Sequence, residues 1–253
     1  MFIDTHCHLD DDIYTDKDEV VKACVESGVG KLICSGCDAN STVLSKDLAK
    51  KYPIVYYSAA IHPEHAETFT DKTVEELKGL TGEKCVAVGE IGLDYHYEPY
   101  DRKKQQAAFI SLIELANELK LPIVVHSRDA HADTLDIIKT HRPKYNGTMH
   151  CFSGSKEIAK EYLDLGFYLS FGGTLTFKNA VRSVEVLEYT PLDRVLTETD
   201  SPYLSPEPKR GQTNTPANIP IICSKIAELK NTDIAEVEKT VYDNALNLFT
   251  KLK

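Results

Sequence analysis

The residues with the clearest chemical potential stand at the start of the chain, in Ile3–His8. If this segment is a strand, His6 and His8 share one face and Cys7 points the other way, because side chains alternate along a strand. Neutral imidazole is the commonest metal ligand in proteins, so the pair indicates a metal clamp. A His-x-His pair alone is more often a surface or hydrogen-bonded pair, and the interpretation therefore depends on further ligands elsewhere.

Further candidates follow apolar runs at regular places along the chain. Five histidines and two acids each fall near the end of a predicted strand: His6, His8, His62, Glu90, His126, His150 and Asp200. One such residue is compatible with chance, but seven across six predicted strands favour a metal site. The set exceeds what one tetrahedral ion needs and suffices for two ions that share a bridging carboxylate.

We assign His6 and His8, with Asp200 nearby, to one ion. We assign His126 and His150 to a second ion, and Glu90 to both as a bridge. Two ions about 4 Å apart can hold the attacking and leaving oxygens of an ester and make a bound water more acidic. Asp200 is then the carboxylate predicted to accept the proton of that water as general base.

Three other residues are predicted to contact substrate. Arg128 follows His126 by two positions and is predicted to pair with a phosphate, with a neighbouring acid as the alternative. His62 lies at a rigid His-Pro turn, which suits a substrate contact or an outer hydrogen bond equally. Arg210 lies in a loop after the last strand. Glu198 shares a strand face with Asp200 and is predicted to orient a ligand.

The elements that must position these residues are short apolar runs, rich in Val and Ile, that alternate with helical patterns. We predict eight strands, at residues 2–8, 31–36, 54–61, 85–91, 122–126, 146–151, 167–171 and 194–200. Their spacing is close to the roughly 30 residues of a βαβ unit. Continuous apolar runs of this kind are typical of parallel strands that are buried on both faces.

Helical periodicity is clearest at 18–27 and at 100–120. After the last strand, a Pro-rich loop at 202–216 precedes two helices, and the second of these begins at Asp233. The pattern predicts an α/β fold, a (β/α)8 TIM barrel that uses residues 1–253 as a single domain with an extra C-terminal helix. A doubly wound open sheet is the alternative, but the lack of an edge-type strand favours closure. In such a barrel, the C-terminal strand ends form one rim, where active sites lie.

Composition limits the partners and the compartment. A net charge of −10 argues against a broad surface for coating nucleic acid, but allows a small site where metals hold a phosphate. Seven scattered cysteines indicate free thiols in a reducing compartment. We find no membrane-length apolar run and no secretory leader. We therefore expect a cytoplasmic, monomeric protein with no membrane partner.

Five motifs resemble the TatD family of metal-dependent deoxyribonucleases, among the amidohydrolase-like barrels. They are Asp4-Thr5-His6-Cys7-His8-Leu9, Gly89-Glu90-Ile91-Gly92-Leu93-Asp94-Tyr95, His126-Ser127-Arg128-Asp129-Ala130, His150-Cys151-Phe152-Ser153-Gly154 and Glu198-Thr199-Asp200-Ser201-Pro202-Tyr203-Leu204. The resemblance implies a TIM barrel, two divalent metal ions and hydrolysis of phosphodiester bonds in DNA. Magnesium or manganese is implied by the family, whereas mixed N/O ligation also tolerates zinc or nickel.

Three functions remain open at this point. The leading one is a two-metal deoxyribonuclease that acts as a 3′–5′ exonuclease on single strands, because a strand end enters a rim of loops more easily than a duplex interior. The enzyme alternative is a hydrolase of a small molecule, such as a lactone, amide or phosphoester, with the same ligands. A non-catalytic metal-binding interaction protein is disfavoured by the complete ligand set.

Overall fold

The computed structural model describes residues 1–252. Its sheet contains eight parallel strands, and each strand is a neighbour of the next one in the chain. The strands are β1 (Phe2–Cys7), β2 (Val29–Ser35), β3 (Val55–Ala59), β4 (Cys85–Asp94), β5 (Ile123–Arg128), β6 (Gly147–Met149), β7 (Tyr168–Phe171) and β8 (Val195–Thr197). This sequential order is that of a barrel and not of a doubly wound sheet, in which the order reverses.

At least one α-helix follows each strand. The helices are α1 (Lys17–Glu26), α2 (Ala39–Lys51), α3 (Asp71–Leu80), α4 (Arg102–Leu119), α5 (His131–His141), α6 (Lys156–Asp164), α7 (Val181–Tyr189), α8 (Ile219–Lys230) and α9 (Ile234–Leu248). Among residues 1–252, no helix has both the length and the apolar character needed to cross a membrane. The predicted (β/α)8 barrel with an extra C-terminal helix is confirmed, and α9 is that helix.

The barrel is nearly closed where β8 meets β1, and this seam brings ligand candidates together. The Asp200 amide donates to the carbonyl of His6 at 3.0 Å, and the His8 amide donates to the carbonyl of Ser201 at 2.7 Å. The Asp4 carboxylate accepts from the amides of His6 and Thr199. The seam therefore fixes His6 and His8 beside Asp200.

An inner core fills the barrel, and the end of the chain closes its lower mouth. Apolar side chains from six strands meet inside it: Ile3, Ile33, Val86, Val124, Tyr168 and Leu196. Ala245, Leu248, Phe249 and Leu252, from α9 and the turn after it, pack against this cluster. Because the N-terminal end of the barrel is covered in this way, the rim at the C-terminal strand ends is left for a site.

Five strands, β1, β2, β3, β6 and β8, end earlier than the sequence predicted, and β4 and β5 end later. β1 ends at Cys7, β6 at Met149 and β8 at Thr197, so His8, His150 and Asp200 lie just beyond the strands. After two of these ends the backbone leaves the extended region: Cys151 has φ +41° and Asp200 has φ +52°. A left-handed residue cannot continue a ladder, and sequence patterns do not report φ.

The helix predictions differ from the structure only at the ends. The helix predicted at 100–120 is α4, which starts after Asp101, and the Asp101 carboxylate accepts from the amides of Lys103 and Lys104. The predicted start at Asp233 is the N-cap of α9, where its side chain accepts from the Ala235 amide at 2.7 Å. Asp is a strong N-cap because its carboxylate satisfies free amides of the first turn.

Candidate metal centre

Glu90 lies at the middle of the rim and is buried, with 4% of its surface exposed. It is held by β4, and its amide donates to the carbonyl of Gly36 at 3.1 Å. Two residues later Gly92 pairs with His126 of β5, with φ +143°. A Cβ on Gly92 would lie 2.0 Å from the His126 carbonyl oxygen, so only glycine allows β4 and β5 to approach this closely.

The two carboxylate oxygens of Glu90 face different imidazoles. Oε2 lies 3.2 Å from Nε2 of His6. Oε1 lies 2.7 Å from Nδ1 of His126 and 3.6 Å from Nε2 of both His62 and His150. A carboxylate with one oxygen towards each of two imidazole groups has the geometry required of a bridge between two ions.

A second carboxylate, that of Asp200, stands beside the seam histidines. Its Oδ1 lies 3.5 Å from Nε2 of His8, 3.8 Å from Nε2 of His6 and 3.7 Å from Nε2 of His150. The Nε2 atoms of His6 and His8 are 3.3 Å apart. Two atoms that share one tetrahedral ion through bonds of about 2.1 Å are separated by about 3.4 Å. His6, His8 and Asp200 therefore fit a common ion.

The far side of each imidazole has a partner that fixes the ring. His6 and His8 present Nδ1 to the hydroxyl and the carbonyl of one residue, Ser35, at 3.1 and 3.2 Å. Because a carbonyl only accepts, His8 carries a proton on Nδ1, and its Nε2 atom faces the cluster. His150 presents Nδ1 to Glu198 at 2.9 Å. Such outer partners orient metal-ligating imidazoles and raise their basicity.

The carboxylates are held in their ionised form by the imidazoles around them. Burial opposes ionisation of Glu90, but His150 and His6 outweigh it and hold the pKa of this carboxyl well below its usual range. Burial likewise opposes ionisation of Asp200, and His150 and His8 lower its pKa. Ionised carboxylates at the bottom of the cleft make the cluster a site for cations.

The same contacts raise the pKa values of two imidazoles, those of His150 and His126. Burial disfavours the charged form of His150, but Glu198 and Glu90 raise its pKa to about 10. Burial also disfavours the charged form of His126, but the hydrogen bonds with Asp94 and Glu90 outweigh it and raise the pKa of His126 to about 9. These imidazoles are strongly basic, as expected of nitrogen atoms that face anions, and a metal ion at this position would replace their protons.

His62 differs from the other rim histidines. Its Nδ1 accepts from the Glu64 amide at 3.3 Å, which leaves the proton on Nε2. The Nε2 atom of His62 lies 3.6 Å from Oε1 of Glu90. Burial lowers the pKa of His62 to about 3, so the ring is neutral. A neutral ring with its N–H directed into the cleft is suited to donate a hydrogen bond.

The other predicted substrate contacts lie at different places. The cleft above the cluster has a volume of about 790 Å³, and Arg128 and His62 line it. The guanidinium of Arg128 lies 4.9 Å from the centre of the Tyr97 ring. Arg210 is exposed and lies over the Phe177 ring at 3.9 Å. Among residues 1–252, those that line the cleft do not include Arg210.

Two residues near the cluster were missed by the sequence analysis. The Asp94 carboxylate lies 2.9 Å from Nε2 of His126. Asp94 follows Glu90 by four positions on β4, and this even spacing on a strand was a signal that both share a face. The Cys37 thiol lies 3.7 Å from Nδ1 of His8. No spacing in the sequence indicated it, because Cys37 is in the loop after β2.

The donor set fits divalent metal ions. Several groups of three donors lie with all their ligand atoms within 4.8 Å of one another, including His6, Glu90 and His150; His6, His8 and Asp200; and His62, Glu90 and His126. Imidazole nitrogen and carboxylate oxygen are ligands for zinc, nickel and manganese alike. Glu90 belongs to two of these three groups, and Asp200 to the other, so one cluster offers more than one position for an ion.

Comparison with known families agrees with this chemistry. The model of the family described as TatD related DNase matches residues 3–250. The chain belongs to this family. The resemblance seen in the five motifs is thereby confirmed, and the chain is a metal-dependent hydrolase.

The TatD-family relatives cover nearly the whole chain. YabD of Bacillus subtilis, described as an uncharacterized metal-dependent hydrolase, is 39% identical over 98% of this chain and 99% of its own length. A Cronobacter sakazakii protein named 3'-5' ssDNA/RNA exonuclease TatD is 34% identical over 93% and 92%. The crystal structure of the TatD homologue YjjV from Escherichia coli matches with a TM-score of 0.93 and 31% identity, over 98% of both chains.

Proposed function

We propose that the chain is a metal-dependent deoxyribonuclease that hydrolyses phosphodiester bonds in DNA and trims single strands from the 3′ end. The observation that carries the proposal is the position of the Glu90 carboxylate, between His6 and His126 and below an open cleft. The name of the Cronobacter relative, a 3'-5' ssDNA/RNA exonuclease, supports the choice of substrate and direction.

In this proposal the cluster would hold two ions. His6, His8 and Asp200 would hold one, His126 and His150 the other, and Glu90 would bridge them. When bound, two divalent cations would neutralise charge on the phosphodiester and lower the pKa of a water from about 15.7 towards about 7. Magnesium or manganese follows from the family resemblance, while the four imidazoles also suit zinc or nickel.

The side chains of the protein supply the remaining steps. Asp200 accepts the proton of the attacking water as general base, since its ionised carboxylate lies at the edge of the cluster. No side-chain nucleophile is required, and Cys7 faces away, with its thiol donating to the carbonyl of Ile33. His62 donates its Nε2 proton to a phosphate oxygen, and Arg128 pairs with the next phosphate. Arg210 would contact only a part of the strand outside the cleft.

A second candidate is a hydrolase of a small molecule, and the charge of the cleft wall favours it. Besides Glu90, Asp94 and Asp200, four further acids line the cleft: Asp10, Asp11, Asp38 and Glu64. Among the described residues that line the cleft, Arg128 is the one lysine or arginine. Acidic walls repel a polyanion and suit an uncharged ester, lactone or amide. The same metal ligands would serve either substrate, so the two candidates differ only in the rim.

The test uses single- and double-stranded DNA labelled at either end, with magnesium, manganese, zinc and nickel in turn and a chelator control. A 3′–5′ exonuclease leaves a ladder of shortened strands from the 5′ label and releases a single labelled nucleotide at once from the 3′ label. Both products should disappear with the chelator. DNA that stays intact with every metal, while the protein hydrolyses a lactone or an amide, would establish the second candidate.

A further inference from the structure

The two most exposed aromatic side chains among residues 1–252 line the same cleft. Tyr97 is 58% exposed and Tyr203 is 57% exposed, whereas Tyr100, Tyr145 and Tyr189 are 36–39% exposed. Both belong to loops at the C-terminal end of the barrel, after β4 and after β8, and both border the cleft above Glu90. Folding favours burial of such rings, so their joint exposure at one site indicates a surface for a ligand.

Each of these rings is held in place by a polar partner and is not a loose surface side chain. The guanidinium of Arg128 lies 4.9 Å from the centre of the Tyr97 ring, and His96 meets its edge at 4.8 Å. The Tyr203 hydroxyl donates to the Asp11 carboxylate at 3.3 Å. A ring that is already oriented loses little conformational freedom when a ligand stacks on it.

The positions of the rings relative to the cluster suit neighbouring units of one ligand. The Tyr203 ring centre lies 6.3 Å from that of His8. The Tyr97 ring packs against the guanidinium of Arg128, which follows His126 by two residues on β5. One ring therefore stands beside the His8 side of the cluster and the other beside the His126 side. A phosphodiester between them would have a nucleoside on each side.

We infer that Tyr97 and Tyr203 each bind an unpaired nucleobase of the single strand by stacking, one on each side of the scissile phosphodiester. The inference rests on the proposed phosphodiesterase function and deepens it. In a duplex the faces of the bases are already covered by their neighbours, whereas a single strand offers them to an aromatic ring. Stacking also adds affinity without further positive charge. This cleft needs such a contribution, because acids line it and Arg128 is its one cationic lysine or arginine among the described residues.

The experiment compares a short single strand with an abasic strand of equal length and charge. For the wild type we expect kcat/KM to be at least about tenfold lower on the abasic strand, since each stacking contact is worth about that factor. Tyr97→Leu and Tyr203→Leu should each raise KM on the normal strand about tenfold, with kcat nearly unchanged and no effect on the abasic strand. Tyr97→Phe, which keeps the ring, should restore the wild-type KM.

Tyr145→Leu is the matched control, because Tyr145 precedes β6 at the opposite end of the barrel and is 39% exposed. It should leave both substrates unaffected. Equal cleavage of the two strands by the wild type, or Leu variants that lose both activities alike, would overturn the stacking inference and leave the nuclease function standing. A wild type that cleaves neither strand with any metal would overturn the nuclease function and this inference with it.

Discussion

Nδ1 of His150 lies 2.9 Å from Oε2 of Glu198, below the floor of the cleft, and this contact turns Nε2 of the ring towards Glu90. Glu198 is 1% exposed, and its other oxygen accepts from the Cys151 amide at 2.6 Å. The carboxylate therefore does not face the cleft. It fixes the tautomer and direction of an imidazole that does.

The first prediction follows from this contact. Glu198→Gln should weaken metal binding about 10–100-fold, because the amide no longer offers a charged acceptor to the His150 ring. Titration of the metal-free protein with manganese or zinc measures the effect. Glu207→Gln, at an exposed position, is the control. Unchanged affinity in Glu198→Gln would show that Glu198 has no part in orienting the ligand.

The second prediction concerns the bridge. Glu90→Gln is nearly isosteric and should preserve the fold, but the metal content should fall from two equivalents per chain to one or none, since an amide offers a single neutral oxygen. Elemental analysis of the gel-filtered protein gives the stoichiometry, and circular dichroism checks the fold. Glu64→Gln, at the exposed edge of the same cleft, should retain both equivalents. Two equivalents in Glu90→Gln would contradict the bridging role.

The sequence could predict the cluster because a parallel barrel brings all strand ends to one rim. Once eight strands are recognised, His6, Glu90 and His126 must meet, whatever the details of packing. The predictions were weaker where the chain leaves the strands. The position of the Asp200 carboxylate depends on a left-handed φ at Asp200 and on a hydrogen bond from its amide to the carbonyl of His6. A hydrophobic pattern encodes neither feature.

Loop positions were the hardest to predict from the sequence. Arg210 lies over the Phe177 ring, a contact between two loops that are far apart in the chain, and no local pattern reports such a pair. Cys37 and Ser35 approach His8 only because β2 lies next to β1. By contrast, the position of Asp94 beside the cluster could have been predicted, because Asp94 follows Glu90 by an even number of residues on β4. The sequence analysis did not use this spacing.

The third prediction uses the charge of the cleft. With a net charge of −10 and Arg128 as the cationic side chain of the wall, few phosphates can be neutralised. The logarithm of affinity for a single strand should fall with the logarithm of salt concentration with a shallow slope, about −1 to −4. Fluorescence anisotropy of a labelled strand at several salt concentrations gives the slope. A value near −10 would require a basic surface elsewhere on the protein.

The fourth prediction tests the closure of the lower mouth. Phe249 is fully buried against the inner core, so Phe249→Ala should lower the free energy of unfolding by about 3–5 kcal/mol. Urea unfolding followed by circular dichroism measures it. Val181→Ala, on a side chain that is 77% exposed, should change stability by less than about 0.5 kcal/mol. If Phe249→Ala lowers the free energy of unfolding by less than about 1 kcal/mol, the stability of the barrel does not depend on the packing of Phe249 at its lower mouth.

The role of Asp200 as general base is tested most directly by the rate at which Asp200→Asn trims an end-labelled single strand in manganese or magnesium. As general base, Asp200 should contribute about 10²–10⁴-fold to kcat, while the strand still binds through the rim. Asp12→Asn, an exposed loop position, removes the same charge and serves as the control. Asp200→Asn alone should lose cleavage while it retains DNA binding. Trimming by Asp200→Asn at close to the wild-type rate would contradict the general-base role.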